Sequence, residues 1–402
     1  MKRNYDMEYI FSNKLASMKP SAIREIFKSL TDPTIISFAA GNPSPLSFPS
    51  EQMGKIAADI FEKSAVTALQ YGTTEGYTPL IDAVDARMAS HFNISGEADQ
   101  TIITSGGQQG IELACKALCN EGDAVICENP TFIGALNAFR SNGAETVGVP
   151  LRDDGIDTEK LEETIKATPR AKLLYLIPTF HNPAGITSTA ENRKKVYEIA
   201  LKYGLIILED NPYGELRFAG EEVPTIKSMD TEDIVLYCSS FSKILSAGMR
   251  VGFIRGPREI IQKMVIAKQV EDVHTNMFFQ MLCHRFMTEC DIDAHIAGIR
   301  KLYGKKCDLM LECLDRELPD FVKFTRPEGG LFIWCTLPED MDCAEFVRRA
   351  LEKKVAVVPG ATFNADPDAP SPSFRLNYSM PSDKDIIKGV AVLGEVAREM
   401  AK

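Results

Sequence analysis

The 402-residue sequence is short of several things: it has one tryptophan, five histidines, and fewer basic than acidic residues, 45 Lys plus Arg against 56 Asp plus Glu, for a net charge of −11. Without a positive excess or a clustered Lys/Arg stripe there is no electrostatic basis for gripping a nucleic-acid backbone or an anionic lipid surface. Neither nucleic acid nor membrane is an expected partner. No stretch approaches the roughly 18 consecutive apolar residues that a membrane-spanning helix needs. Residues Met1 to Asn13 mix charge with aromatics and lack a basic then apolar export pattern, so a cytoplasmic location is expected. There is no HExxH and no Cys/His cluster, so structural zinc and zinc-protease chemistry lack their ligand sets and no metal is expected. The ten cysteines form no CxxC pair and lie mostly in apolar runs, where they read as small buried hydrophobes.

What is present is an ordinary globular balance, 45% hydrophobic and 25% charged, in a chain long enough for a large unit and a smaller companion. The middle of the sequence alternates short apolar runs with segments of helical period, the pattern of βα units around a covered, mostly parallel sheet. The runs are 101–104, 124–128, 145–150, 173–178, 205–210, 235–240 and 251–255, which predicts an α/β fold with a seven-stranded sheet. Helices are expected at 109–119 and 191–203. From about His295 the pattern changes to a long helix reaching Leu318, a strand at 331–336, a helix at 344–353, a strand at 355–358 and a closing helix after Ser382. The expected division is a large domain at 46–294, with 1–45 and 295–402 forming a smaller α+β domain.

Three places carry chemistry. Ser105-Gly106-Gly107-Gln108-Gln109-Gly110 follows a strand and opens a helix, where free N–H groups and the helix dipole favour an anion. Alone, such a turn is common in α/β folds. Asp210 ends a strand and is followed by Asn211-Pro212-Tyr213, at the sheet edge where open α/β sheets place ligand residues. Lys243 stands in Ser239-Ser240-Phe241-Ser242-Lys243 after another apolar strand, with Arg250 shortly beyond. An amine among hydroxyls and a guanidinium forms a nucleophile beside an anion cradle. Together with a carboxylate able to pair with a ring nitrogen, this set matches the needs of pyridoxal phosphate.

The ordered motifs Tyr71-Gly72-Thr73-Thr74-Glu75-Gly76, Ser105-Gly106-Gly107-Gln108-Gln109, Asn182-Pro183-Ala184-Gly185, Glu209-Asp210-Asn211-Pro212-Tyr213, Ser240-Phe241-Ser242-Lys243 through Arg250, Pro327-Glu328-Gly329-Gly330 and Phe374-Arg375-Leu376 resemble those of fold-type I, class I/II aminotransferases. The resemblance spans essentially the whole chain and is greatest to the 2-aminoadipate, kynurenine and aromatic amino acid branch. It implies that Lys243 forms the Schiff base and carries a proton between substrate Cα and cofactor C4′. Asp210 would then pair with the pyridinium nitrogen, while Asn182 and Tyr213 bond the phenolic oxygen. It implies further that backbone groups of Gly107 and Gln108, with Ser240, Ser242 and Arg250, hold the phosphate and that Phe132 stacks on the ring. Tyr71 would reach the phosphate from the partner of a homodimer with shared active sites. Arg375 would bind the substrate α-carboxylate in a two-pronged fork, assisted by Asn182 and Gly41, and Arg24 of an N-terminal covering segment would face the substrate side chain. Gly107 stands where relatives often carry a hydroxyl residue, and Phe132 where they often carry Tyr. The family pattern also suggests a cis Asn182-Pro183 bond, while Trp334 reads as core.

The expected activity is amino transfer from an aromatic, 2-aminoadipate-like or broader range of L-amino acids to a 2-oxo acid such as 2-oxoglutarate, by a ping-pong mechanism. A pyridoxal-phosphate C–S lyase or decarboxylase on the same scaffold is the alternative. A non-enzymatic effector domain of a transcription regulator is a further one. It is disfavoured because the pattern begins by about residue 20, leaving no room for a DNA-binding module ahead of it.

Overall fold

The structure, a computed structural model, describes residues 9–16, 18 and 32–401. Among these residues the strands form three sheets. A minimal one pairs β1 (Ile36–Ser37) in parallel with β12 (Val355–Ala356). The main sheet contains β2 (Asp99–Thr104), β3 (Ala124–Asn129), β4 (Glu145–Arg152), β5 (Gly155–Ile156), β6 (Ala171–Leu176), β7 (Ile206–Asp210), β8 (Val235–Ser240) and β9 (Gly252–Pro257), in the order β2-β9-β8-β7-β6-β3-β4-β5. The third, antiparallel, orders β10 (Lys323–Phe324), β11 (Phe332–Thr336), β14 (Ser373–Asn377) and β13 (Val358–Pro359).

The main sheet is covered on both faces, and its residues show why. Val125, Cys127, Leu173, Tyr175 and Leu208 pack in one apolar cluster, while Ile126, Leu174, Leu176 and Ile207 pack in another. Successive side chains leave a strand on opposite faces, so strands buried on both sides must be continuously apolar. All seven expected strands are present. The neighbouring pairs β4/β3, β3/β6, β6/β7 and β7/β8 are parallel, and β9 runs antiparallel to both β8 and β2. The count needs correction to eight: β5 is a two-residue strand returning antiparallel on the end of β4, too short to show as a run or an alternation.

Helices at Gly107–Leu118 and Ala190–Tyr203 match the expected ones to within two residues, and the latter is capped by the Thr189 side chain and ended by Gly204 in the left-handed region. In the C-terminal part, the long helix is Ile292–Glu317 and the closing one Asp383–Met400, packed against each other. The expected strand at 355–358 is two strands, because β12 pairs with β1 while β13 pairs with β14. Among the described residues no helix is long and apolar enough to cross a membrane.

Candidate active site

Parallel strands β3, β6, β7 and β8 all end on one edge; Asp210 is the last residue of β7, and the segments leaving the other three deliver Phe132, Asn182 and Lys243 to the same cavity of about 430 Å³. Gly41, Phe332 and Arg375 close it from the β11/β14 side. Lys243 sits in a single turn, Ser242–Ser246, directly after β8, with Nζ donating to the Gly41 carbonyl at 2.8 Å and lying 5.9 Å from the Tyr213 ring centroid. Burial, then the nearby charges of Arg375 and Arg250, bring its pKa down to about 8. An amine so placed is available unprotonated far more readily than a surface lysine.

Asp210 is 4% exposed, and burial pushes its carboxyl up to about 7; the Tyr175 hydrogen bond works against that rise and the Glu128 charge adds to it. Arg375 is equally buried. Its guanidinium is held over the Phe332 ring at 4.2 Å and the Phe363 ring at 4.9 Å, donating through Nη1 to Asn182 Oδ1 at 2.7 Å and through Nη2 to the Ala39 carbonyl at 2.8 Å. Its Nε has no partner, and burial lowers its pKa to about 10. A buried guanidinium solvated by carbonyl and amide oxygens, with a donor left over, can receive a carboxylate.

The opposite end is built for a more highly charged anion. Gly106 takes φ 80° and ψ 167°, a region essentially restricted to glycine, and turns the chain into the helix that begins at Gly107. Facing that N-terminus, Ser240 Oγ lies 2.7 Å from Ser242 Oγ and accepts from the Ser242 N–H at 3.1 Å. Arg250, itself left-handed at φ 53°, donates to the Ser105 carbonyl at 3.2 Å and remains exposed to the cavity mouth. Two hydroxyls, a helix N-terminus and a guanidinium are groups that can hold a phosphate.

The cavity thus gathers Gly41, Gly107, Gln108, Phe132, Asn182, Asp210, Tyr213, Ser240, Ser242, Lys243, Arg250 and Arg375. The Gln108 side chain turns away to donate to the Gly134 carbonyl at 2.8 Å, leaving its backbone at the site. Asn182-Pro183 is cis. Tyr71 is not on the cavity wall: it is 80% exposed, edge-on to His274. Arg24 lies outside the described residues. Trp334 is also off the wall, packing edge-on against Phe363. Sequence reasoning missed Phe332 and Phe363, the two rings flanking Arg375, along with Ile111 and Ile177 on the cavity wall. Phe332 follows the Gly329-Gly330 motif and could have been suspected. Phe363 is brought in by a short helical turn, Gly360–Phe363, that follows β13 and has no local signal.

The profile described as "Aminotransferase class I and II" matches residues 33–393. The chain therefore belongs to the class I and II aminotransferases, fold-type I enzymes that work with pyridoxal phosphate. Within that class it falls in the aromatic, 2-aminoadipate and kynurenine branch, as its motifs indicated. It is 42% identical to aromatic-amino-acid aminotransferase 1 of Thermococcus litoralis, over 99% of this chain and 96% of that one. It is 38% identical to the 2-aminoadipate transaminase of Thermus thermophilus, over 96% of each. The crystal structure of Pyrococcus horikoshii kynurenine aminotransferase in complex with PMP superposes with a TM-score of 0.94 at 41% identity, covering 98% of both chains. The donor set fits the cofactor: an anion cradle, a lysine amine, and a buried carboxylate to which no cationic side chain among the described residues supplies a compensating charge.

Proposed function

We propose that the protein moves the amino group of an L-amino acid of the aromatic or 2-aminoadipate type to a 2-oxo acid, 2-oxoglutarate being the natural acceptor, in two half-reactions that share one site. The observation that carries this reading is the convergence of Lys243, Asp210 and Arg375 in one cavity, an amine with a buried acid and a buried guanidinium. Pyridoxal phosphate supplies a carbonyl that condenses with amines and a protonated ring that delocalises the charge left when the Cα proton departs. In this reading Ser240, Ser242, Arg250 and the N–H groups of Gly107 and Gln108 bind the phosphate, and Phe132 lies against the ring. Asp210 holds the proton on the ring nitrogen. Asn182 and Tyr213 orient the phenolic oxygen. Arg375 grips the α-carboxylate, with Gly41 beside it, and so aims the Cα hydrogen at Lys243, whose amine takes that proton and returns it at C4′.

We further assign residues 46–294 to a cofactor-binding domain and 1–45 with 295–402 to a smaller domain whose N-terminal segment covers the substrate, with Arg24, outside the described residues, as the candidate for reading the substrate side chain. Two copies would share their sites through Tyr71. The test is to mix the cofactor-loaded protein with single amino acids, without any 2-oxo acid, and follow the absorbance of the bound cofactor. Aromatic acids and 2-aminoadipate should each convert it stoichiometrically, and 2-oxoglutarate should then restore it with release of glutamate. Continuous release of ammonia and a 2-oxo acid without an acceptor would instead identify a lyase.

A further inference from the structure

The main sheet sets a phenol directly on the buried acid. Tyr175 of β6 and Asp210 at the end of β7 lie on neighbouring parallel strands, and the Tyr175 hydroxyl donates to Asp210 Oδ2 at 2.6 Å. That separation belongs to charge-assisted O–H···O⁻ bonds. Tyr175 is wholly buried, its ring edge-on to Phe139 with centroids 5.4 Å apart. The other titratable groups around Asp210 are Glu128 of β3, Cys238 in register with it on β8, and Tyr213 in the following loop. None of these is a cation. Tyr175 is thus the one hydrogen-bond donor to the carboxylate among the described residues.

We propose that Tyr175 is a positioning residue for Asp210: its hydroxyl pins Oδ2, directs the remaining oxygen to the cavity, and keeps the acid ionised for the ring nitrogen. This rests on the role given to Asp210 above. Burial alone drives the Asp210 carboxyl toward neutrality and Glu128 reinforces it, while the Tyr175 bond opposes both. The phenol stays protonated as donor, because burial raises its own pKa well above the ordinary value. Without it the carboxyl would take up a proton at higher pH and the ring nitrogen would lose its counter-ion.

Tyr175→Phe keeps the ring against Phe139 and removes one oxygen. The acidic limb of the kcat–pH profile should move up by about one unit. The affinity of the cofactor-free protein for pyridoxal phosphate near neutral pH should fall about tenfold, with KM for the amino acid little changed. Placing 3-fluorotyrosine at position 175, a stronger donor, should move the limb the other way. Added to Asp210→Asn, Tyr175→Phe should have no further effect, since it acts through that carboxylate. A wild-type limb and cofactor affinity in Tyr175→Phe, or an unmoved limb with the fluorinated residue, overturns the assignment. If Asp210→Asn has lost kcat in that case, the Asp210 reading stands and only Tyr175 is misassigned. If Asp210→Asn retains wild-type kcat, the Asp210 reading fails and the Tyr175 proposal with it.

Discussion

Lys243 and Asp210 are both buried against their own charge, in opposite senses, and each has a measurable consequence. With its pKa lowered to about 8, Lys243 gives up its proton near neutral pH far more readily than a surface lysine does. Borohydride reduction of the loaded protein should fix the cofactor on Lys243, identified by peptide mapping, and Lys243→Ala should lose turnover by orders of magnitude while still binding cofactor. A label on a different lysine would refute the assignment. For Asp210 the folded cofactor-free protein has a carboxyl pKa raised from 3.8 to about 7. Between those values the folded state holds a proton that the unfolded chain has released, so this group's contribution to stability declines as pH rises through the window. Asp210→Asn removes that dependence. Its melting temperature relative to wild type, both without cofactor, should rise between about pH 5 and pH 8, by the equivalent of a few kcal/mol. A constant difference would mean that Asp210 is not buried as a raised-pKa acid. The raised value also shows that ionising this residue needs help, which the Tyr175 hydrogen bond gives by working against the effect of burial.

At the scale of elements, function sits where strands stop. β8 ends at Ser240 and β7 at Asp210, and the helix at Gly107 starts directly after the chain leaves β2 and turns at Gly106. A Cβ on Gly106 would collide with the Arg250 guanidinium, in a backbone region that alanine avoids at a cost of about 1–3 kcal/mol. Gly106→Ala should therefore weaken cofactor affinity tenfold or more, as read by titrating the cofactor-free protein with pyridoxal phosphate. Unchanged affinity would show that the cradle tolerates displacement of Arg250. These strand ends were legible in the sequence because continuous apolar runs mark buried parallel strands and because Ser105 to Gly107 and Ser239 to Lys243 break those runs with glycines, hydroxyls and a charge. The flanking partners were not. Phe363 reaches Arg375 only through the packing of β13 and β14, and Tyr175 reads as one more apolar strand residue until β7 is laid beside β6. β5 escaped notice because two residues carry no period. Local pattern reports elements; which side chains meet across them is decided by register.

For the whole molecule the question is where Tyr71 acts. It is 80% exposed beside His274, and Val66, Leu69, Val270 and Val273 expose further apolar surface in the adjoining segments. A tyrosine outside its own chain's cavity, set among uncovered apolar side chains, suits a two-fold interface that carries it into a neighbour's site. The mass in solution should be near twice 44.4 kDa. Shared sites make a sharper demand than mass alone. When Lys243→Ala and Tyr71→Ala proteins are mixed and allowed to exchange subunits, each hybrid dimer has one site carrying both lesions and one carrying neither. With equal amounts and free exchange, half the dimers are hybrids, so activity at limiting cofactor should recover to about a quarter of wild type. If Tyr71 instead serves its own chain, each hybrid site carries one lesion and mixing restores nothing. Recovery therefore reports both that two chains associate and that the phosphate end of each cavity is completed by the other.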